Sequence, residues 1–117
     1  MSDKLIQVAF ILEASNEDES ADLAGDIIQN LEPFITEAYV VINNKYPKTD
    51  GLYHIACNIE LVEPLDPATK ETFLQRISDK WFWDDAKINP ITDKKWATIV
   101  NPKLHFASFL LEGIETE

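Results

Sequence analysis

The chain has 117 residues, of which 21 are acidic and 10 are basic, and its formal net charge is −11. Hydrophobic residues make up 45% of it, which is too much apolar material for a disordered chain, and the length suits one domain spanning residues 1–117. Because only one Arg and nine scattered Lys are present, we expect no direct binding to nucleic acid or to an anionic membrane surface. The expected partners are neutral or basic.

The negative charge is concentrated toward the two ends of the chain. Residues 1–43 contain nine acids and one Lys, a net charge of −8, whereas residues 44–111 are balanced. Residues 112–117 add three more Glu, and we expect this acidic tail to be frayed. The acidity that a folded partner meets therefore belongs mainly to the first third of the chain.

The first predicted element is a strand over the apolar run Lys4–Ala14. A run of this kind is typical of a strand that is covered on both faces and is central in its sheet. It lacks the basic region and cleavage site of a signal peptide, and no apolar stretch is long enough to span a bilayer. Together with the single thiol of Cys57, these features predict a cytoplasmic protein.

A helix is predicted next, with Ser15 or Asn16 as its N-cap and three acids in its first turn. Apolar residues then recur at every third or fourth position as far as Ile42. Because Pro33 interrupts this pattern, we expect a kink or a division into two helices. The alternative is a strand over Phe34–Asn43, a segment rich in residues with high β preference.

Four further elements are predicted in the second half of the chain. Leu52–Val62 alternates between apolar and polar residues, which indicates a strand. Asp66 is the expected N-cap of a helix that begins at Pro67. Two more strands are predicted at Trp96–Val100 and Leu104–Leu111, joined by an Asn-Pro turn.

These elements predict an α+β fold. It consists of a small single-domain sheet of about four strands with two or three helices packed on it, in the order β-α(α)-β-α-β-β. If Phe34–Asn43 is a strand instead of a helix, the order becomes βαββαβ, the ferredoxin-like arrangement.

Catalytic motifs are missing from the sequence. The three glycines lie far apart, so a phosphate-binding loop and a dinucleotide-binding turn are excluded. His54 and His105 lie in separate predicted strands and can share a metal ion only if those strands are neighbours. Cys57 lies on the apolar face of its strand, where a thiol is usually an inert hydrophobic group. We expect no enzymatic activity, no metal site and no cofactor.

The predicted first helix carries acids at a spacing of four residues. Asp18, Asp22 and Asp26 therefore share a face with each other, and like charges at this spacing destabilise a helix by a few tenths of a kcal/mol per pair. The simpler interpretation is a solvated surface that keeps the protein soluble. The functional interpretation is a surface that meets a basic partner.

The segment Trp81-Phe82-Trp83-Asp84-Asp85 is the most unusual local sequence. On a helix, successive residues step by about 100°, so Phe82 and Trp83 cannot both follow Trp81 into the core. Exposed aromatic side chains beside carboxylates are typical of interaction hot spots. The simpler interpretation is that all three rings pack beneath the polar loop that follows.

These features indicate a non-enzymatic acidic protein-binding module. The most specific hypothesis is an immunity protein or inhibitor that neutralises a basic toxin or enzyme such as a nuclease. The alternative is an oligomeric structural or regulatory subunit that associates with itself through a sheet edge or through Phe82 and Trp83. The expected partner-binding residues are Glu17, Asp18, Asp22, Asp26, Phe82, Trp83, Asp84 and Asp85.

Overall fold

A five-stranded antiparallel sheet with two helices on one of its faces makes up the α+β architecture. The computed structural model describes residues 4–86 and 88–111, so the predicted acidic tail at 112–117 lies outside the described residues. The helices are α1 (Glu17–Gln29) and α2 (Pro67–Gln75), and the strands are β1 (Leu5–Glu13), β2 (Ile35–Lys45), β3 (Leu52–Leu61), β4 (Ile91–Asp93) and β5 (Leu104–Leu110).

The strand order in the sheet is β2-β3-β1-β5-β4, which confirms that β1 is central. Val8 of β1 lies opposite Cys57 of β3 on one side and opposite Phe109 of β5 on the other. Both β1 and β2 are antiparallel to β3, which lies between them. When the three-residue strand β4 is left aside, the elements follow the βαββαβ order of the alternative prediction.

The helical interpretation of Phe34–Asn43 was wrong. Helix α1 ends at Gln29, a 3-10 turn follows at Glu32–Phe34 with Pro33 near its start, and β2 begins at Ile35. The break that Pro33 was expected to cause is therefore present, but the chain leaves it extended. High β preference and pairing along β3 outweigh an apolar spacing that was equally compatible with a helix.

The helix start in the second half of the chain is as predicted. Asp66 Oδ1 accepts a hydrogen bond from the Thr69 N–H at 2.8 Å, and Pro67 occupies the first turn of α2. The strand predicted at Leu104–Leu111 is β5.

The strand predicted at Trp96–Val100 was wrong. Ile99 forms only an isolated bridge to Ser78. The strand that pairs with the outer edge of β5 is β4, which lies in the segment after Asp85 that was expected to be a polar loop. Only three residues of β4 pair with β5, which is too short for an alternating pattern to show in the sequence.

The core lies between the helices and one face of the sheet. Phe10 of β1 and Phe109 of β5 are fully buried there, beneath Ile27 of α1 and Phe73 of α2. The Phe73 and Phe109 rings meet edge to face with centroids 5.4 Å apart.

No helix among residues 4–86 and 88–111 covers the opposite face of the sheet. The expectation that β1 is covered on both faces was therefore wrong, since Leu5 and Gln7 are exposed. We call this surface the bare face, and its principal residues are Gln7, Ala9, Ile11, Tyr39, Ile42, His54, Ala56, Asn58, Ile91, Phe106, Ser108 and Leu110. Neither of the two helices in the described part of the chain has the length and apolar content needed to cross a membrane.

Candidate functional site

Two polar side chains fix the start of α1. Asn16 Oδ1 accepts a hydrogen bond from the Glu19 N–H at 2.8 Å, which confirms Asn16 as the N-cap. Glu19 Oε1 accepts from the Ser15 N–H at 2.6 Å, and this bond holds the pKa of Glu19 below its usual value. Glu19 therefore serves the helix terminus, and the other acids of α1 take no part in this cap.

Helix α1 carries exposed carboxylates on its outer side and in its first turn. Its inner side buries Ala24, Ile27 and Ile28 against the sheet. Asp18, Asp22 and Asp26 lie in a line along this outer side, and Glu17 lies in the first turn of the helix. We call these four exposed carboxylates the acidic face. Among residues 4–86 and 88–111, no Lys, Arg or His forms an ion pair with these four side chains. The structure thus gathers the four acids predicted for partner binding on one helix and leaves them unneutralised.

The segment Trp81–Trp83 is extended and follows α2 after a short loop, so it is not the helix from which its exposure was argued. Trp81 Nε1–H donates to the Leu74 carbonyl oxygen at 3.0 Å, and the Trp81 ring lies 5.7 Å from the ring of Phe109. Phe82 is 64% exposed. Because side chains alternate along an extended chain, one ring turns inward and the next turns outward. The expectation that at least one of these rings is exposed is confirmed by Phe82.

An open groove of about 750 Å³ runs between α2 and the Trp81–Trp83 segment. Leu74 and Trp81 belong to its lining, as do the more exposed rings of Phe82, Trp83 and Trp96. We call this concavity the aromatic groove. Lys and Glu or Asp side chains also line it, so its charges are of both signs.

One ring of the aromatic groove already contacts a cation. Lys70 Nζ lies 5.9 Å from the centroid of the Trp83 ring, within the range of a cation–π contact. Trp96 is 43% exposed and belongs to the same groove. The groove can therefore accept apolar side chains or the flat guanidinium of an Arg.

The two carboxylates after Trp83 have different surroundings. Asp84 Oδ1 accepts hydrogen bonds from the N–H groups of Asn89 at 2.8 Å and Ile88 at 3.0 Å. The Asn89 bond is the main reason that the pKa of Asp84 is lowered. Asp84 therefore holds its own loop in place, whereas Asp85 is exposed and open to contact from a partner.

The two histidines do not come together. β1 lies between the strands that carry His54 and His105, so the backbones of those strands are about 9.6 Å apart. His105 Nε2 lies instead 2.7 Å from Glu13 Oε2, and this contact lowers the pKa of Glu13. Within residues 4–86 and 88–111, no three His, Cys, Asp or Glu side chains are placed to hold a metal ion.

The Glu13 and His105 pair was missed in the sequence. It lines a second cavity of about 830 Å³ at one end of the bare face, together with Tyr46 and Lys95. The two residues are 92 positions apart, and only the pairing of β1 with β5 brings them into contact. No local spacing signals such a pair.

Cys57 is buried in the core between the sheet and the helices. Burial raises the pKa of its thiol to about 11, so the thiol is protonated at neutral pH. This placement confirms the interpretation of Cys57 as a small hydrophobic side chain.

No protein-family model, curated protein or solved structure matches this chain. Function is therefore inferred from its own surfaces. The acidic face and the aromatic groove both lie on the helical side of the sheet, and the bare face lies on the other.

Proposed function

We propose that the protein is a non-enzymatic binding module of the immunity-protein or inhibitor kind, which neutralises a basic toxin or enzyme such as a nuclease in the cytoplasm. The observation that carries this proposal is the acidic face, with Asp18, Asp22 and Asp26 exposed in a line along α1. Their mutual repulsion costs the free protein a few tenths of a kcal/mol per pair. A basic partner converts this repulsion into attraction.

Long-range attraction is the expected contribution of the acidic face. The first 43 residues hold a net charge of −8, and α1 carries much of it on a single surface. Complementary charge raises the rate of association between proteins and makes that rate sensitive to salt. A surface of the partner that binds the phosphates of a nucleic acid is a suitable target, because the carboxylates of the acidic face carry negative charge as those phosphates do.

The aromatic groove supplies the short-range anchor. Trp, Tyr and Arg dominate interaction hot spots, and they act in concave, well-packed sites. The Lys70 contact shows that the face of Trp83 accommodates a cation. An Arg or Lys of a basic partner can stack on the same set of rings, with Phe82 and Trp96 beside it.

The test uses the product of the neighbouring open reading frame as the probe. The two proteins are co-expressed to score protection, and their association rate is measured by stopped flow over a series of salt concentrations. Reversal of Asp18, Asp22 and Asp26 to Lys is expected to slow association by about tenfold or more and to flatten its salt dependence.

A matched variant separates the acidic face from net charge alone. Reversal of Glu37, Asp50 and Glu63 to Lys changes the total charge equally at exposed positions outside α1. Equal slowing by both triple variants would show that net charge acts without a dedicated face. The proposal as a whole is overturned if the protein neither binds the neighbouring product nor protects against it.

The second candidate is an oligomeric structural or regulatory subunit, and the bare face favours it. Among the described residues, that face is mostly apolar and has no covering layer of helices. Association through Phe82 and Trp83 is a separate route to the same state. Replacement of Phe82 by Ala would dissociate an oligomer built on those rings and would leave one built on the bare face intact.

A further inference from the structure

The bare face is a neutral surface on a strongly acidic protein. Three neighbouring cross-strand rows form its centre, and Asp93 at the corner is the only carboxylate that pairs into them. The carboxylates of Glu13, Glu37 and Glu60 lie toward the ends of the strands. The rows are Ile42-Ala56-Ala9-Ser108-Ile91, Tyr39-Asn58-Gln7-Leu110 and Asn44-His54-Ile11-Phe106-Asp93.

The relief of this face consists of a shallow furrow between two ridges. Small side chains of Ala56, Ala9 and Ser108 form the furrow, and the larger side chains of the two adjacent rows stand on either side. Ala56 is only 5% exposed although its position in β3 places it on the bare face. A ridge of one such surface fits the furrow of another.

We propose that a second copy of this chain covers the bare face, so that two sheets pack face to face about a twofold axis. In this arrangement both helical layers point outward, and the acidic faces of the two copies are kept apart by two sheets. A basic partner is drawn to the carboxylates of α1 and gains no comparable attraction from the neutral rows. The occupant that matches the bare face in polarity, size and relief is the bare face itself.

The polar groups at the centre of the face are also self-complementary. Gln7 Nε2 donates to Asn58 Oδ1 at 3.0 Å across the β1 and β3 pairing. Within the described ranges, Gln7 Oε1, both hydrogens of Asn58 Nδ2 and the second hydrogen of Gln7 Nε2 form no hydrogen bond. The pair therefore offers an acceptor and several donors, and in the proposed dimer a twofold axis brings the Gln7 Oε1 of each copy to an amide N–H of the other.

The area of the face is sufficient for a stable dimer. Five strands spaced by about 4.8 Å give a width of about 24 Å, and about eight residues per strand give a length of about 27 Å. The footprint is then about 650 Å² per copy and about 1,300 Å² in total, within the standard range for specific interfaces. Aromatic and aliphatic side chains dominate the face, and charge is depleted at its centre, as in the cores of such interfaces.

Sedimentation of the full chain over a micromolar concentration series tests the proposal. The expected mass is twice the 13.3 kDa of one chain. Gln7→Lys places two unpaired ammonium groups in the middle of the interface, and we expect the dissociation constant to rise by about 30-fold or more. Gln29→Lys makes the same chemical change at an exposed position on α1 and is expected to leave the dimer unchanged.

Two further variants keep the test decisive. Leu110→Lys alters the bare face at another exposed position and replaces Gln7→Lys if that variant fails to fold by circular dichroism. Val41→Lys alters the free edge strand β2 instead. The proposal is overturned if the wild-type chain stays monomeric, if the bare-face variants dimerise as Gln29→Lys does, or if only Val41→Lys dissociates the dimer. None of these results depends on the proposed binding of a basic partner.

Discussion

The two faces of the sheet differ in what they present to the surroundings. Strand β5 shows the contrast within a few residues: Phe109 is fully buried against Phe73 and Trp81, whereas Phe106 is half-buried on the bare face. The helical side carries the core, the acidic face and the aromatic groove. The bare face carries neutral rows with little relief.

This contrast separates two kinds of recognition. Charge acts over long distances and is weakened by salt, so the acidic face suits the capture of a basic partner. Neutral apolar surface acts only on contact, so the bare face suits a partner of matching shape. One sheet can therefore support both kinds of interaction without interference, because they lie on opposite sides of it.

The largest expected effect compares the two phenylalanines of β5. Phe109→Ala removes a fully buried ring and should lower the free energy of unfolding by about 3 to 5 kcal/mol. Phe106→Ala should cost the isolated chain about 1 kcal/mol, since the side chain is only partly removed from water. Urea denaturation in dilute solution measures both. A similar decrease in the free energy of unfolding for both variants would show that the bare face packs as tightly as the core.

A smaller effect is expected on the acidic face. Asp22→Lys turns its two like-charge pairs, with Asp18 and Asp26, into attractive pairs and should stabilise the free chain by a few tenths of a kcal/mol at low salt. The gain should fade at high salt. Asp50→Lys is the control, because Asp50 lies in an exposed turn. A stability gain that persists at high salt would show that repulsion between these carboxylates is not its source.

The smallest effect concerns the contact between Glu13 and His105 at the end of the bare face. The hydrogen bond from His105 lowers the pKa of Glu13 in the folded chain, so this pair stabilises the fold above the ordinary pKa of a Glu. That contribution is lost as the pH falls through the lowered pKa. The melting temperature of Glu13→Gln should therefore lie below that of the wild type near neutral pH, and the difference should close on acidification.

A double variant identifies the source of this pH dependence. In a His105→Gln background, Glu13→Gln should change the melting temperature by the same small amount at every pH. If the difference between wild type and Glu13→Gln persists in acid, a contact other than ionised Glu13 maintains it.

Local signals account for the parts of the fold that the sequence predicts correctly. Asn16 and Asp66 cap helices through side-chain bonds to residues three positions away. The alternation in Leu52–Leu61 reflects a strand with one face in the core. Asp18, Asp22 and Asp26 were correctly placed on one face of α1, because their spacing of four residues is that of the helix itself.

The remaining features depend on contacts between distant segments. In Phe34–Asn43 the spacing of the apolar residues fits both a helix and a strand, and pairing with β3 makes the segment a strand. The apolar run in β1 predicted a strand with both faces buried. A central strand needs a neighbouring strand on each edge, but it does not need a helical layer on each face of the sheet. The exposure of Phe82 depends on an extended connection that bridges to β4, a strand too short to recognise.

The central position of β1 also constrains how the protein is made. Glu13 at the end of β1 precedes His105 of β5 by 92 residues, which at ribosomal rates is a delay of roughly 5 to 18 s. Throughout that interval one edge of the apolar strand β1 lacks its neighbour, and unpaired edges of this kind recruit other chains. The sheet is completed only after β5 has emerged, so nascent chains that stall before residue 104 leave the β5 side of β1 unpaired.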